Sequence, residues 1–315
     1  MSIEIRLEKA FDGECIWVRY GEEDKFNIII DSGPAKFLKN FNSLIDKIKV
    51  LDERVDLLIL THIHDDHIGG FRKYISCLDC NIIENIWING DVASYYKDQV
   101  HSVKNIGGLV SAIKSKNINL ITPVLEGRVE DFGGASITVL TPTYEDMINV
   151  AMEIEEASVH SKKNIDLRDI DDIKDDDTYD SDSSSLNKAS ISFILSYNDK
   201  NIAFLGDSHA ECIIEGIDKF WNGNQIHLVK LPHHGSKKNV SLELLEKLNC
   251  NEYIICHMNQ VYKETLARIM KFNDTANVYC NYNWWSNSDF FTKKDLENYI
   301  DTKKLNIEEK NEIFI

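Results

Sequence analysis

Between positions 62 and 67 the chain sets three histidines and two aspartates in the pattern H-x-H-x-D-H, directly after the apolar run 57–60. In an extended segment alternate side chains share a side, so His62 and His64 project together. A turn after them can bring Asp66 and His67 to a neighbouring point. Neutral imidazole and ionised carboxylate are ligands for Zn²⁺, Mn²⁺ or Fe, and Gly69 and Gly70 are expected to let the backbone turn tightly beside them. Two further apolar runs end in the same way. One delivers Asp207 after Gly206, with Ser208 placed to cap a following helix, and the other delivers His233 and His234 between Pro232 and Gly235. Three strand ends carrying His or Asp on what should be one rim of a sheet structure mark a candidate site.

The elements that must position these residues follow from periodicity. Short strands rich in Ile, Val and Leu are expected at 3–7, 15–19, 26–30 and 57–60, with Ile30 to Pro34 (IDSGP) stopping the third. Helical patterns fall at 93–115 and 144–161 around a strand at 135–140. A hairpin follows across 198–200, and then helix and strand alternate: 210–220, 226–229, 242–248, 253–256, 262–272 and 277–280. A strand-rich first half and an alternating second half predict two sheets with helices packed outside them, an α/β (α+β) class. Residues 165–185 hold nine aspartates and a serine tail. That composition is too charged to bury itself, so it is expected to form a mobile acidic insertion, dispensable for folding and chemistry. It lacks the mid-loop glycine and terminal glutamate of a calcium loop.

The chain has 315 residues, 43% of them hydrophobic, enough for a substantial core. Its formal net charge of −17 argues against broad electrostatic attachment to nucleic acid or an anionic membrane. No apolar run approaches the ~20 residues that span a bilayer, and the opening residues lack a signal-peptide core, so a cytoplasmic location is expected. Seven scattered cysteines fit reduced thiols, the lone Cys77/Cys80 pair included.

Three segments, THIHDDHIGG, FLGDSHAE and LVKLPHHGS, together resemble the metallo-β-lactamase superfamily, in particular the branch similar to the hydrolase domain of ComEC-type competence proteins. The opening FDGECIWVRY…NIIIDSGP and the closing NEYIICHMN look similar to that branch as well, so the resemblance covers most of the chain. It implies a four-layer αββα sandwich as a single domain over 1–315, with two divalent metal ions, Zn²⁺ or Mn²⁺, at one edge. It makes His62 and His64 ligands of the first metal, Asp66 and His67 ligands of the second, Asp207 the bridging carboxylate and His234 the closing ligand of the second site. Asp66 and His233 are the implied catalytic groups, His233 free to touch substrate or protonate a leaving group. Sequence leaves open which of the adjacent histidines ligates. The superfamily's further histidine on the first metal has no clear counterpart; His101 and His160 lie in the interval but in polar, helical stretches.

Other residues take quieter readings. His209 is expected outside the ligand set, Asp31 to orient a ligand rather than bind metal, Asp65 either to assist protonation or to sit in solvent, and Tyr282, Trp284 and Trp285 to form a buried core edge rather than a base-stacking platform. The implied function is a metal-dependent hydrolase whose paired cations lower the pKa of a shared water, acting on phosphodiesters of nucleic acid or small nucleotides. Lys230, Lys237 and Lys238 offer the only basic residues beside the site. The rival is an inactive protein of the same fold that binds or regulates.

Overall fold

The computed structural model describes residues 2–77, 82–89, 101–152, 166–221, 223–259, 261–286 and 289–315. In the first half the elements are β1 (Glu4–Leu7), β2 (Ile16–Tyr20), β3 (Phe26–Ile30), α1 (Leu38–Val50), β4 (Val55–Leu60), α2 (Asp65–Cys77), β5 (Ile83–Ile88), α3 (His101–Ser115), β6 (Asn119–Ile121), β7 (Val129–Phe132), β8 (Ala135–Thr141) and α4 (Tyr144–Met152). There follow α5 (Ile170–Asp176), α6 (Ser185–Lys188), β9 (Ser192–Tyr197), β10 (Lys200–Phe204), α7 (Ala210–Phe220), β11 (Leu228–Lys230), α8 (Leu242–Leu248), β12 (Glu252–Ile255), α9 (Lys263–Phe272), β13 (Ala276–Cys280), β14 (Leu305–Glu309) and β15 (Glu312–Phe314). The side chains of Cys77, Cys80, His101 and His160 lie outside the described residues, as do 93–100 and 153–161 of the two expected helices.

Two mixed sheets result, ordered β15-β1-β2-β3-β4-β5-β6 and β14-β13-β12-β11-β10-β9-β8-β7. Each changes from antiparallel to parallel pairing partway across: at β3 in the first, where β3 to β6 run parallel, and at β10 in the second, where β10 to β14 do. Parallel strands need covered faces, which explains the unbroken apolar sequence of β4, buried at every position. The core divides accordingly into three layers. Ile5, Val18, Ile28, Ile59, Phe193 and Phe204 meet between the sheets. Phe41, Leu44 and Phe71 of α1 and α2 cover the outer face of the first sheet, and Ile213, Leu244 and Leu266 of α7, α8 and α9 that of the second. The layer order is αββα, as the two-sheet reading expects.

Two expectations need correction. Gly69 and Gly70 make no turn; both lie inside α2. They are small because the chain around residues 32–35 runs against the helix, so that a Cβ on Gly70 would meet the Ser32 carbonyl oxygen at 2.1 Å and one on Gly69 the Ala35 nitrogen at 2.4 Å. The acidic segment, described from residue 166 on, is a packed part of the domain instead of a solvated insertion. Its two isoleucines at an i, i+3 spacing, Ile170 and Ile173, are fully buried against the α7–α9 layer. Arg268, 2% exposed, binds Asp177 through two contacts of 2.6 and 2.8 Å. Truncating one such isoleucine to Ala costs about 2–5 kcal/mol, and stranding a buried Arg costs about 3–5 kcal/mol. Composition misjudged the segment because two apolar residues and one buried cation suffice to dock it. Trp284 is a buried core residue, packing on Phe290 at 5.1 Å between ring centroids, and Tyr282 and Trp285 are partly buried against that core. Among the described residues no helix is long and apolar enough to cross a membrane.

Candidate metal centre

The parallel strands β4, β10 and β11 end on one rim, and the loops leaving them carry the polar cluster. After β4 the chain passes Thr61 to His64 and enters α2, whose first turn holds Asp65 and Asp66, where carboxylates complement the helix dipole. Asp66 faces inward: its Oδ2 lies 3.5 Å from His67 Nε2 and 3.6 Å from His234 Nε2. Asp65 faces outward into an ion pair with Arg72 and takes no part in the cluster.

After β10, Gly206 adopts a left-handed φ of 51° and turns the chain so that Asp207 points back into the rim. Its Oδ2 stands 3.4 Å from His67 Nε2, 3.8 Å from His62 Nε2, 3.7 Å from His233 Nε2 and 4.0 Å from His234 Nε2. After β11 comes a one-turn bend in which His233, His234 and Gly235 are all left-handed, with φ of 48°, 54° and 75°. A pair of non-glycine residues in that region is strained. The bend is held by the His233 amide donating to the Gly206 carbonyl at 2.9 Å, which locks the two loops together.

Secondary contacts aim the imidazoles. His67 Nδ1 donates to Asp31 Oδ2 at 2.7 Å, and His234 Nδ1 donates to the Cys256 carbonyl at 2.8 Å, so each ring presents Nε2 to the cluster. Asp31 is wholly buried, left-handed at φ 58°, and also accepts from the Thr61 amide and hydroxyl at 2.8 Å each. It orients His67, the role expected for it. Beneath His234, the buried Glu14 carboxylate lies 3.7 Å from its Nδ1 and pairs with Lys230, itself fully buried.

Electrostatics concentrate on His67 and Asp207. Burial disfavours a charge on Asp207, but His67, His233, His234 and His62 surround it and hold its carboxyl well below the usual carboxylate range. Burial likewise opposes a charge on His67, yet Asp207, Asp66 and Asp31 push its pKa well above the ordinary histidine value. The attraction that holds that proton is the one a dication would use, and a metal binding to such a ring displaces it.

Whether the donor set suits metals can be judged from its unsatisfied atoms. His67 Nε2, His234 Nε2 and Asp207 Oδ1 are buried without a hydrogen-bond partner, a costly state unless something binds there. Ligand atoms of His62, His67 and Asp207 lie within 4.8 Å of one another, and so do those of Asp66, His67 and His234. The residues fit a pair of adjacent cations sharing this pocket. His64 is in neither triad: its Nδ1 sits 2.9 Å from His62 Nε2. His209 bonds the Ser184 carbonyl at 2.9 Å and lies 3.8 Å from Asp182 Oδ2, outside both triads. The lysines beside the site are all engaged, Lys230 with Glu14, Lys237 with Glu264 at 2.6 Å and Lys238 with Asp180 at 3.6 Å, so they form no open basic groove.

Sequence reasoning gave Glu14, Asp182, Asn239 and His257 no role at this rim. His257 stacks on His234 at 5.4 Å between ring centroids, and Asn239 places its Oδ1 3.0 Å from His233 Nδ1. Glu14 could have been suspected from a carboxylate following a glycine just before β2, but nothing local pairs it with Lys230, 216 positions later.

Residues 10–85, the stretch that contains β2 to β4, α2 and the H-x-H-x-D-H motif, match the profile of the metallo-beta-lactamase superfamily. No curated protein sequence matches the chain at a significant level. Among solved structures the chain is similar to the metallo-beta-lactamase fold protein YhfI from Bacillus subtilis, with 9% identity over 100% of this chain and 99% of that one and a TM-score of 0.47. It is similar also to unliganded PDE1 of yeast (11% identity, 99% of each chain, TM-score 0.47) and to a diphosphatase of the PhnP family (9% identity, 100% of this chain and 98% of that one, TM-score 0.46).

Proposed function

We propose that the chain, taken as one domain over 1–315, is a metal-dependent hydrolase of the metallo-β-lactamase superfamily that acts on phosphodiesters. The observation that carries this reading is the convergence, from three separate loops, of His67 Nε2 and His234 Nε2, both buried without a hydrogen-bond partner, on the buried Asp207 carboxylate, whose Oδ2 lies 3.4 and 4.0 Å from them. His62, Asp66, His67, Asp207 and His234 would hold two divalent ions, Zn²⁺ or Mn²⁺, with His64 next to His62 completing the first site. Bound there, such ions supply Lewis-acid stabilisation of developing charge and a water of lowered pKa.

The chain's own groups divide the remaining work. Asp31 and the Cys256 carbonyl hold His67 and His234 in the tautomer that offers Nε2. His233, a third exposed, is open to a substrate. As water forms the new P–O bond and the bond to the departing oxygen breaks, a proton on His233 Nε2 passes to that oxygen. Because the lysines at the rim are engaged, a small nucleotide or short strand suits the site better than a long duplex, which needs many phosphate contacts. The motif set favours the ComEC-like branch.

The test is a panel of diesters, comprising linear and circular DNA, RNA, dinucleotides and bis(p-nitrophenyl) phosphate, with Zn²⁺ or Mn²⁺ added to the purified protein. Turnover of at least one diester, abolished by a chelator, is expected. Metal bound in stoichiometric amount with no turnover of any diester would leave the inactive, binding form of the fold as the better account.

A further inference from the structure

We propose that Asp182, from the acidic segment, is a positioning residue for His233: its carboxylate fixes the imidazole through Nδ1 so that Nε2 faces the reacting phosphate. The inference rests on the functional reading above and adds to it a component from a segment whose composition suggested no role.

Three observations carry it. His233 Nδ1 has Asn239 Oδ1 at 3.0 Å and Asp182 Oδ2 at 3.4 Å, both on the side of the ring opposite Asp207, and the Asp182 side chain is only 11% exposed. The carboxylate is itself held, accepting from the Ser184 amide at 3.1 Å and from the side-chain amides of Asn187 at 2.7 Å and Asn239 at 3.1 Å. Asn239 in turn donates to the Asp207 and Ser208 carbonyls at 3.2 Å each, so the support of His233 is continuous with the loop carrying Asp207. The Asp182 carboxylate, by accepting from Asn239 Nδ2, also turns the Asn239 amide oxygen toward His233 Nδ1, and an imidazole whose Nδ1–H is committed to that pair can present only Nε2 to its other side.

An alternative role for Asp182 is to anchor the acidic segment, but other contacts already do so. The Asp182 amide donates to the Lys238 carbonyl at 3.0 Å, Tyr179 Oη donates to the same carbonyl at 2.9 Å, and Asp177 pairs with Arg268. None of these needs the Asp182 carboxylate, so D182A should fold.

The test compares wild type, D182A, D182N, H233A and the double variant, each full length and in Mn²⁺, on two diesters. Bis(p-nitrophenyl) phosphate expels a phenolate that needs no proton; a thymidine dinucleotide expels an alkoxide that does. D182A is expected to lower dinucleotide turnover roughly 10–100-fold and nitrophenyl turnover far less, with metal content and thermal unfolding as in wild type. D182N, whose amide oxygen still accepts from Nδ1–H, should recover part of the loss. In the H233A background D182A should add nothing, because it acts through that ring. Independently of activity, ¹⁵N NMR of the Zn²⁺-loaded chain should show a hydrogen-bonded proton on His233 Nδ1, and D182A should weaken that bond. If H233A loses dinucleotide turnover while D182A does not, or if D182A lowers both substrates equally or deepens the H233A defect, the inference is overturned and the hydrolase reading stands. If wild type turns over no diester, the hydrolase reading fails, and the NMR measurement alone decides the placement of His233.

Discussion

The two halves of the molecule build their shares of the rim by different means. The first concentrates: His62, Asp66 and His67 come from one loop and the first turn of α2, and a single buried residue, Asp31, fixes His67 and the Thr61 turn before it. The second disperses: Asp207 and the histidine pair come from different strand ends, and left-handed residues at Gly206, His233, His234 and Gly235 aim them. A helix start can hold several ligands in register because the helix supplies the geometry. A bare strand end carries one or two and must store backbone strain to point them.

Substitutions test this contrast, the largest effect first. Asp207 is the point at which the two contributions meet, so Asp207→Ala should remove a ligand from both ions and leave their repulsion unscreened; metal analysis should find both reduced and diester turnover lost. Next, the adjacent histidines should separate. His233→Ala should cost roughly 10²–10⁴-fold in turnover with metal content near wild type, as for a lost general acid, while His234→Ala should lose metal. The reverse pattern would exchange their roles. Asp31→Ala should leave His62 and Asp66 in place but free His67 to rotate, lowering metal affinity by roughly 10–100-fold in a titration. Asp65→Ala removes only an exposed pair with Arg72, worth about 0–1 kcal/mol, and should leave metal content and turnover unchanged. An equal effect from Asp65 and Asp66 would contradict the inward and outward division of the first turn of α2.

That division was not visible in the sequence, and the reason is general. The H-x-H-x-D-H motif was legible because it falls within six neighbouring residues of unusual type. Asp207 and the histidine pair were legible because each ends an apolar strand. The strands β3, β9 and β10 and the helices α7 and α8 were legible because their periodicity is clean. The helix α2 was not, since its polar first turn and its Gly69–Gly70 pair read as a loop; tertiary contact with residues 32–35 explains the glycines instead. Likewise the acidic segment hid Ile170, Ile173 and Asp182, whose partners lie in α7–α9 and beside His233, far away in sequence. Lys230 was counted among the basic residues beside the site because only the fold reveals Glu14 against it. Burial of that lysine opposes its charge, but Glu14 and Asp207 hold its pKa above the ordinary lysine value. It is therefore a fixed positive charge beneath the site instead of a contact for substrate.

The measurement that bears most directly on the central claim is the metal content of the full-length protein after equilibration with Zn²⁺ or Mn²⁺ and removal of excess. The paired triads around His67 predict about two divalent ions per chain, both released by a chelator. A chain that stays folded yet retains no divalent ion under these conditions would contradict the account, whatever its activity.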